Sequence, residues 1–583
     1  MFGVLLILYA YSAWRIDPVS NFGVEGDDAV YFASAKALAS GQGYILPSFP
    51  VRLAATRYPE FYPLLLAGIW KLDPHFPGNV NWAVAMTLVF GCAALIFAFL
   101  LLRRWPEFGD WDALGVVALC AFSALFLDLS ASVLTDVPFM ALMLGAIWLA
   151  ERSVDLTGRP GGGSKPLGQT RPYKLQFTAP SAADWAVLGA GVLAGVSIGF
   201  RTLGAAVVAG IGLVLLTRRQ FRKLVWFSLA AAPIAVVMVW PQLIALVHPR
   251  AMPLPINQGG NGWTQTLCYY TSYACELRMD VSGPAVLWAV VKANLQRTAI
   301  EPGLFLLFPF EASRTIESFI LLVVVSVTSW AGIVRYVRKA KWSALLVIFL
   351  LYLGVLTAWP YTMDRLLVPF LPLFFGGLWL EGRHLAMLVR KTLLSSHTVA
   401  ERTIAAGTAL AALTVCGVVG VNYFYSIPTA VAGLASANRS QLEAERSAFA
   451  WIRKRAAPDA RIISSRGELT YLYTGRQAVL PIIGSTAGFY ENNSRYGERA
   501  AAHLTDIARN IHASYWMLLP DDFSSSGNSA GLQARELQLL ADRPRVFRSE
   551  DGAVQIFDVR CLTGAMRTGC EPNAAGGKSR DAK

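Results

Sequence analysis

The sequence predicts a polytopic α-helical membrane protein with about eleven transmembrane helices and a small extracytoplasmic α/β domain near its C-terminal end. Apolar tracts of about 20 residues recur through residues 1–424, and each is long enough to cross a hydrocarbon core of about 30 Å. The 583 residues are 55% hydrophobic and only 15% charged, whereas soluble proteins average about 25% charged residues. This composition argues against a soluble multidomain protein.

The apolar tracts define the predicted spans, and the basic residues between them define the orientation. The predicted spans are residues 1–15, 80–102, 113–130, 135–150, 184–200, 203–217, 224–247, 316–334, 342–358, 366–381 and 403–424. Arginine and lysine cluster after the second, fourth, sixth and eighth spans and around the join of the last two. Short cytoplasmic loops are enriched in these residues, so all five basic loops are predicted to be cytoplasmic. The net charge of +13 therefore does not indicate nucleic-acid binding.

This orientation predicts the domain organisation. Residues 1–424 form the membrane domain, with external loops at 16–79 and 248–315, and residues 425–572 form the extracytoplasmic domain. Its predicted elements are a helix at 441–456, strands at 461–464 and 515–519, a helix at 469–473 and a hairpin of 545–548 with 553–559. Residues 573–583 are a disordered tail by composition. The predicted setting is a bacterial inner membrane, with the N-terminus cytoplasmic and the C-terminal domain periplasmic.

Four of the seven cysteines fall in two close pairs within the predicted external segments. Cys268 lies near Cys275, and Cys561 lies near Cys570. Disulfides persist outside the cytoplasm, so both pairs are predicted to be disulfides, with unpaired surface thiols as the alternative.

The first external loop contains the most suggestive polar residues. Asp27 and Asp28 open a predicted amphipathic helix, for which helix capping is the ordinary explanation. Arg57, Tyr58 and Tyr62 come just before or within a short apolar stretch that suits a helix lying in the membrane interface.

Three more charged residues lie at the outer ends of predicted spans. Asp136 is costly at the membrane boundary unless it is paired, and it either supports a site or caps its helix. Arg201 lies at an external turn and Arg365 opens the tenth span. Ordinary interfacial snorkelling is the alternative for both arginines, as it is for Arg57.

In order along the chain, these motifs resemble the glycosyltransferase-C superfamily, and within it the branch of protein O-mannosyltransferases and the lipid A aminoarabinose transferase. The matching motifs are Asp27-Asp28-x-x-Tyr31, Ala35-x-x-Leu38-x-x-Gly41-x-Gly43-Tyr44, Arg57-x-Pro59-x-x-Tyr62-Pro63, Thr135-Asp136-Val137-Pro138-Phe139 and Asp364-Arg365-Leu366-Leu367-Val368-Pro369. Two positions depart from the family pattern, because Asp28 replaces Glu and Leu366 replaces Tyr.

The resemblance implies inverting transfer of a sugar from a polyprenyl-phosphate donor to a protein, lipid A or glycan acceptor at the outer membrane face. Asp27 matches the family's general base, and we expect Asp28 to orient it. Because the leaving group would be a lipid phosphate, we expect Arg57, Arg201 and Arg365 to bind it. The expected supporting residues are Asp136, Tyr58 and Tyr62.

No cofactor is required in the branch that the chain resembles. A divalent cation held by Asp27, Asp28 and Asp136 is a weaker alternative, and the six histidines form no cluster in the sequence.

Three other classes stay open at this point. A transporter or channel fits the many spans, but the sequence has no internal repeat, no charge in mid-span and no matched pair of interrupted helices. A scaffolding protein with a periplasmic sensor domain is another, and a polymerase or ligase of lipid-linked glycans is a third. Convergence of Asp27 with the arginines in one outward-facing chamber would favour the transferase.

Overall fold

The computed structural model describes residues 1–158, 181–247, 260–273, 275, 283–309, 315–340, 343–361, 363–395, 398–482, 494–523 and 529–564. Cys570, the predicted tail at 573–583 and most of the basic loop after the fourth predicted span lie outside these ranges. The chain divides into two compact units. The first comprises Met1–Tyr44, Thr56–Arg250 and Leu287–Arg439, and the second comprises Ile45–Ala55, Ala251–Val286 and Ser440–Lys583.

Helices dominate the chain as far as residue 455. In chain order they are Phe2–Trp14, Pro18–Asn21, Asp27–Ala39, Phe61–Leu72, Val80–Leu102, Asp110–Ala121, Ala124–Ser130, Asp136–Gly158, Ala182–Phe200, Gly204–Thr217, Phe221–Val247, Gly262–Thr271, Pro284–Leu307, Ile316–Ala340, Ala344–Leu356, Asp364–Leu367, Leu371–Ser395, Val399–Val421 and Ile427–Arg455. A 3-10 turn at Val368–Phe370 joins two of them, and a π-helical turn at Asn422–Ser426 joins the last two.

Seven helical segments in the described residues are long and apolar enough to cross a membrane, and an eighth forms if Asp110–Ala121 and Ala124–Ser130 count as one span bent by 66°. The other three predicted spans coincide with the shorter apolar helices Phe2–Trp14, Gly204–Thr217 and Ala344–Leu356. The multi-pass helical fold class is therefore confirmed. The total of eleven spans stays a prediction, because these three helices have only 13 or 14 residues. A helix of that length rises about 20 Å, which is less than the thickness of a hydrocarbon core of about 30 Å.

Two helices of the membrane unit cross each other at very short range. Ile316–Ala340 crosses Leu371–Ser395 at two glycines, and a Cβ atom built on Gly332 would lie 1.8 Å from the carbonyl oxygen of Gly377. Only glycine allows the backbones to approach this closely. The crossing fixes the helix that continues, through the 3-10 turn, from Asp364 and Arg365.

The second unit contains the predicted small α/β domain. Its five-stranded sheet has the spatial order Gln477–Val479, Arg461–Ile463, Tyr515–Leu518, Gln555–Asp558 and Arg545–Arg548. The first three strands are parallel, and the last two pair antiparallel as the predicted hairpin. The helices after residue 455 are Gly467–Thr474, Ser494–Ala502, Asp506–Asn510, Ser529–Leu540 and Arg560–Thr563.

The unit also draws on the two predicted external loops. A short antiparallel ribbon, Ile45–Leu46 with Leu53–Ala54, lies in it, and the Ser48 carbonyl accepts a hydrogen bond of 2.9 Å from the Ala478 amide. A disulfide joins Cys268 to Cys275 with a Cα separation of 5.7 Å, as predicted. Cys561 is also disulfide-bonded, but its predicted partner Cys570 lies outside the described residues.

Two local predictions were wrong, and helix capping, the ordinary explanation for Asp27 and Asp28, does not apply. The helix expected at 441–456 begins earlier, at Ile427, because the chain continues helically from Val399–Val421 through the π-helical turn. The Asp27–Ala39 helix is buried around most of its circumference instead of being amphipathic. Neither aspartate caps it, since Gly26 occupies the N-cap position at φ +76°, a conformation that favours glycine.

Candidate active site

Asp27 is the first residue of its helix, and its side chain is 33% exposed. The Tyr58 hydroxyl donates a hydrogen bond of 2.8 Å to Asp27 Oδ1. The Arg365 guanidinium lies 3.4 Å from Asp27 Oδ2. The predicted base is thus accessible on one side and held by a phenol and a cation on the other.

Asp28 lies in the opposite environment, fully buried beneath the loop. Its carboxylate accepts hydrogen bonds from the Gly23 amide at 2.7 Å and the Ala29 amide at 2.8 Å. Burial raises the pKa of Asp28 to about 7, although these two bonds oppose the shift. Asp28 is thus hydrogen-bonded to the backbone on both sides of Asp27, and that it orients Asp27 stays a prediction.

Arg365 connects three carboxylates from separate parts of the chain. Its Nη1 lies 2.8 Å from Glu25, and its Nη2 lies 3.3 Å from Asp136 as well as near Asp27. Glu25 was not predicted as a site residue. It stands two positions before Asp27, but nothing in the sequence distinguishes it from an ordinary surface glutamate.

Asp136 is completely buried at the start of its helix and is shared by two arginines. Arg201 Nη2 approaches it at 2.8 Å, and Arg201 Nε donates to the Thr135 hydroxyl at 2.9 Å. These contacts offset the cost of burying the charge, which the sequence indicated would need a partner. Arg201 follows the last residue of Ala182–Phe200, at the predicted turn.

Arg57 reaches this cluster through aromatic side chains. Its guanidinium carbon lies 5.4 Å from the centre of the Tyr58 ring and 5.9 Å from that of Tyr361. The Tyr31 ring packs edge-on against Tyr58, at 5.0 Å, and against Tyr62, at 5.4 Å. Tyr62 is buried in this aromatic wall, whereas Tyr58 contacts Asp27 directly.

Asp364, the residue before Arg365, takes part in an ion pair of its own. Arg297 donates to both oxygens of Asp364 at 3.0 and 2.8 Å, and Asp364 precedes Arg365 at the start of the helix. Such bidentate pairs have a defined geometry. Arg297 lies in Pro284–Leu307 and was not identified from the sequence.

In the described part of the chain, no group of three or more His, Cys, Asp or Glu side chains is placed to hold a metal ion. Asp28 points its oxygens at backbone amides, and one oxygen of Asp136 faces two guanidinium groups. Both oxygens of Asp28 and one oxygen of Asp136 thus contact protein groups in this structure.

No family model and no curated protein sequence matches this chain. Among solved structures, its fold is similar to that of ArnT from Cupriavidus metallidurans bound to undecaprenyl phosphate, with 14% identity, 95% of this chain and 97% of that chain covered, and a TM-score of 0.50. It is also similar to the Archaeoglobus fulgidus oligosaccharyltransferase tethered to an acceptor peptide containing the NVT sequon, with 12% identity, 95% and 73% coverage, and a TM-score of 0.50. This likeness shows that the chain shares the fold of these two proteins, in agreement with the resemblance of its motifs.

Proposed function

We propose that this protein is an integral-membrane inverting glycosyltransferase that moves a hexosyl or pentosyl group from a polyprenyl-phosphate donor to an acceptor at the periplasmic face. The observation that carries the proposal is the cluster in which Arg365 joins Glu25, Asp27 and Asp136. These residues come from distant parts of the sequence and lie at or beside the starts of helices. The undecaprenyl phosphate bound to ArnT supports the donor class.

Asp27 is the general base in this reaction. The acceptor oxygen bonds to the anomeric carbon as the bond from that carbon to the phosphate oxygen breaks. The bonding electrons leave with the phosphate, and the acceptor proton passes to Asp27. Attack on the face opposite the phosphate inverts the anomeric centre, and no covalent sugar–enzyme intermediate forms.

The charges of the cluster determine where the donor phosphate binds. The directly paired groups comprise three carboxylates, of Glu25, Asp27 and Asp136, and two guanidinium groups, of Arg365 and Arg201. Arg201 pairs with the buried Asp136 at 2.8 Å, whereas Arg365 reaches the same carboxylate only at 3.3 Å and also contacts the partly exposed Glu25. We therefore expect the phosphate to bind to Arg365 and Arg57 and to displace Glu25 from Arg365, while Arg201 neutralises Asp136.

The first prediction concerns Asp27→Asn, which removes the base and leaves an amide of the same size. We expect transfer to fall by about 100- to 10,000-fold, because a positioned base contributes that much to a reaction of this kind. Membranes containing the full chain are incubated with a panel of radiolabelled polyprenyl-phosphate sugars, and labelled acceptor is measured. Donor binding by the purified variant should persist.

Asp17→Asn is the matched control, because Asp17 lies in the same predicted loop and pairs with Arg439 at 3.1 Å, away from the cluster. Wild-type turnover in Asp27→Asn would refute the mechanism. Movement of the labelled lipid across sealed vesicles without transfer to any acceptor would favour the transporter instead.

A further inference from the structure

A polar cavity lies in the membrane unit, away from the catalytic cluster. It encloses about 230 Å³ and is lined by charged, aromatic and aliphatic side chains. Its charged and aromatic lining residues are Arg104, Trp105, Glu151, Arg218 and Tyr336. None of these takes part in the proposed transfer reaction.

The cavity belongs to the other membrane face. Glu151 follows Asp136 by fifteen positions in one helix, which corresponds to about 22 Å along the helix axis. Arg104 comes just after Val80–Leu102, and Arg218 directly follows Gly204–Thr217. Arg104 and Arg218 therefore lie at helix ends, and Glu151 lies in the last third of its helix, all on the predicted cytoplasmic face at the depth of the lipid head groups.

The charged wall of the cavity favours an anion. Two guanidinium groups and one carboxylate line it, so these lining residues carry a net charge of about +1. Arg104 Nε approaches the Glu151 carboxylate at 3.5 Å, and its Nη2 donates to the Glu151 carbonyl at 3.3 Å. Guanidinium groups suit the oxygens of a phosphate, to which they donate two hydrogen bonds at a time.

Aromatic and aliphatic side chains form another part of the cavity wall, together with Pro106 and the hydroxyl-bearing Ser343. The Trp105 and Tyr336 rings stack with centres 3.9 Å apart and an interplanar angle of 17°. Leu101, Val154 and Leu345 complete this side. A small soluble phosphate would leave these surfaces unused, whereas a lipid presents a charged group and an apolar stem side by side.

We propose that this cavity binds the phosphate head group of an anionic phospholipid from the cytoplasmic leaflet. Basic pockets between transmembrane helices on this side of a membrane bind such head groups, because the leaflet is rich in anionic lipid. The phosphate contacts Arg104 and Arg218, and the glycerol and first acyl carbons lie against Trp105 and the aliphatic side chains. The bound lipid joins the ends of helices that are distant in the sequence.

The test uses the purified full-length protein in detergent, titrated with dioctanoyl phosphatidylglycerol and followed by native mass spectrometry. We expect one saturable site in the wild type. Arg104→Gln and Arg218→Gln should each raise its dissociation constant about tenfold, which is the loss of one charge-assisted contact. Val154→Phe should abolish binding by filling the cavity without changing its charge.

Arg103→Gln is the matched control. Arg103 also ends Val80–Leu102, but it pairs with Asp110 at 2.7 Å and does not line the cavity. It therefore tests whether any arginine at this helix end has the same effect. Gel filtration verifies that each variant is folded. If Arg104→Gln cannot be purified, the two other cavity variants, Arg218→Gln and Val154→Phe, still test lipid binding.

Two further ligands identify the source of the phosphate. Dioctanoyl phosphatidylcholine carries the same chains on a neutral head group, and glycerophosphoglycerol carries the anionic head group without chains. Weaker binding of both supports the proposal. Equal binding of either one, or cavity variants that bind phosphatidylglycerol as the wild type does, would overturn it.

Discussion

Asp27 and Asp28 are adjacent residues with the same side chain, yet their surroundings differ completely. Successive positions on a helix point about 100° apart, so one aspartate faces the cluster while the other faces the loop. Asp27 is 33% exposed and contacts Tyr58 and Arg365, whereas Asp28 is fully buried against backbone amides. This difference suits Asp27 to proton transfer and Asp28 to holding the loop.

The burial of Asp28 predicts a pH-dependent stability. An aspartate in an unfolded chain titrates at about pH 4, whereas the pKa of Asp28 in the fold is about 7. The Asp28 carboxyl therefore binds its proton more tightly in the folded state than in the unfolded state. The stability that this proton contributes is complete below about pH 4 and is lost as the pH rises through about 7. The loss amounts to about 4 kcal/mol.

The amide in Asp28→Asn cannot ionise, so its unfolding should lack this dependence. We therefore expect the Tm of the wild type to fall more than that of Asp28→Asn between pH 5 and pH 8, as measured by thermal unfolding in detergent. The variant loses one backbone hydrogen bond at both pH values. Parallel pH profiles for the two proteins would show that Asp28 does not titrate in this range.

Glu25 gives a third prediction, because its carboxylate and the donor phosphate compete for Arg365. Glu25→Gln keeps an acceptor oxygen but removes the charge. We expect KM for the polyprenyl-phosphate sugar to fall about fivefold with little change in kcat, as removal of one partly exposed ion pair of about 1 kcal/mol allows. Glu60→Gln, an exposed position in the same predicted loop, is the control. A lower kcat in Glu25→Gln would mean instead that Glu25 positions Arg365.

Most residues of the cluster could be identified from the sequence. The two that were not identified were missed for the same reason. Asp27, Arg57, Asp136 and Arg365 stand in motifs with an order that resembles a known family, and Arg201 stands at a predicted external turn between two spans. Glu25 and Arg297 stand in none, and they matter only through partners far along the chain. The contact between Glu25 and Arg365 joins residues 340 positions apart, and the sequence does not encode that pairing in any local pattern.

At the scale of helices and strands, hydropathy located the membrane segments because a bilayer imposes a minimum apolar length on each one. The sequence did not predict features that depend on contacts with residues distant in the chain. Polar positions in Asp27–Ala39 suggested an exposed face, but the helix is enclosed on nearly all sides. The strand Gln477–Val479 was missed because three residues carry no periodicity, and its pairing with Arg461–Ile463 is parallel and non-local.

The glycine crossing provides a prediction at this scale. In Gly332→Ala the added methyl group would meet the Gly377 carbonyl oxygen at 1.8 Å, so the two helices must separate. We expect a destabilisation of about 1–3 kcal/mol, seen as a lower Tm, because overpacking at a close contact forces backbone shifts. Turnover should fall as well, since the displaced helix continues from Arg365.

The control for the crossing is Gly382→Ala, in the partner helix Leu371–Ser395. A Cβ atom at Gly382 meets nothing within 4 Å, and alanine favours a helix interior over glycine by about 1 kcal/mol. That variant should therefore be as stable as the wild type or more so. Equal Tm values for Gly332→Ala and the wild type would contradict the close approach.

At the scale of the whole molecule, the composition of the second unit bears on sidedness. The segments Ile45–Ala55 and Ala251–Val286 come from the two predicted external loops, and they belong to one compact unit with Ser440–Lys583. Segments that share a folded unit must emerge on the same side of the membrane. The orientation inferred from the basic loops places all three segments outside, so two independent observations agree.

The last prediction concerns the side of the membrane on which each segment lies. The proposed transfer reaction needs the cluster and the second unit to lie outside the cytoplasm. The background is a chain in which serine replaces the free cysteines Cys92, Cys120 and Cys416. Single cysteines are then introduced at two exposed positions, as Asn510→Cys in the second unit and as Lys391→Cys in a basic loop. We expect a membrane-impermeant maleimide to label Asn510→Cys in intact spheroplasts and Lys391→Cys only after lysis, because lysine-rich loops stay in the cytoplasm. Labelling after lysis verifies that residue 391 is reachable. The reverse pattern would place Asp27 inside the cell, where the proposed donor orientation and acceptors do not apply.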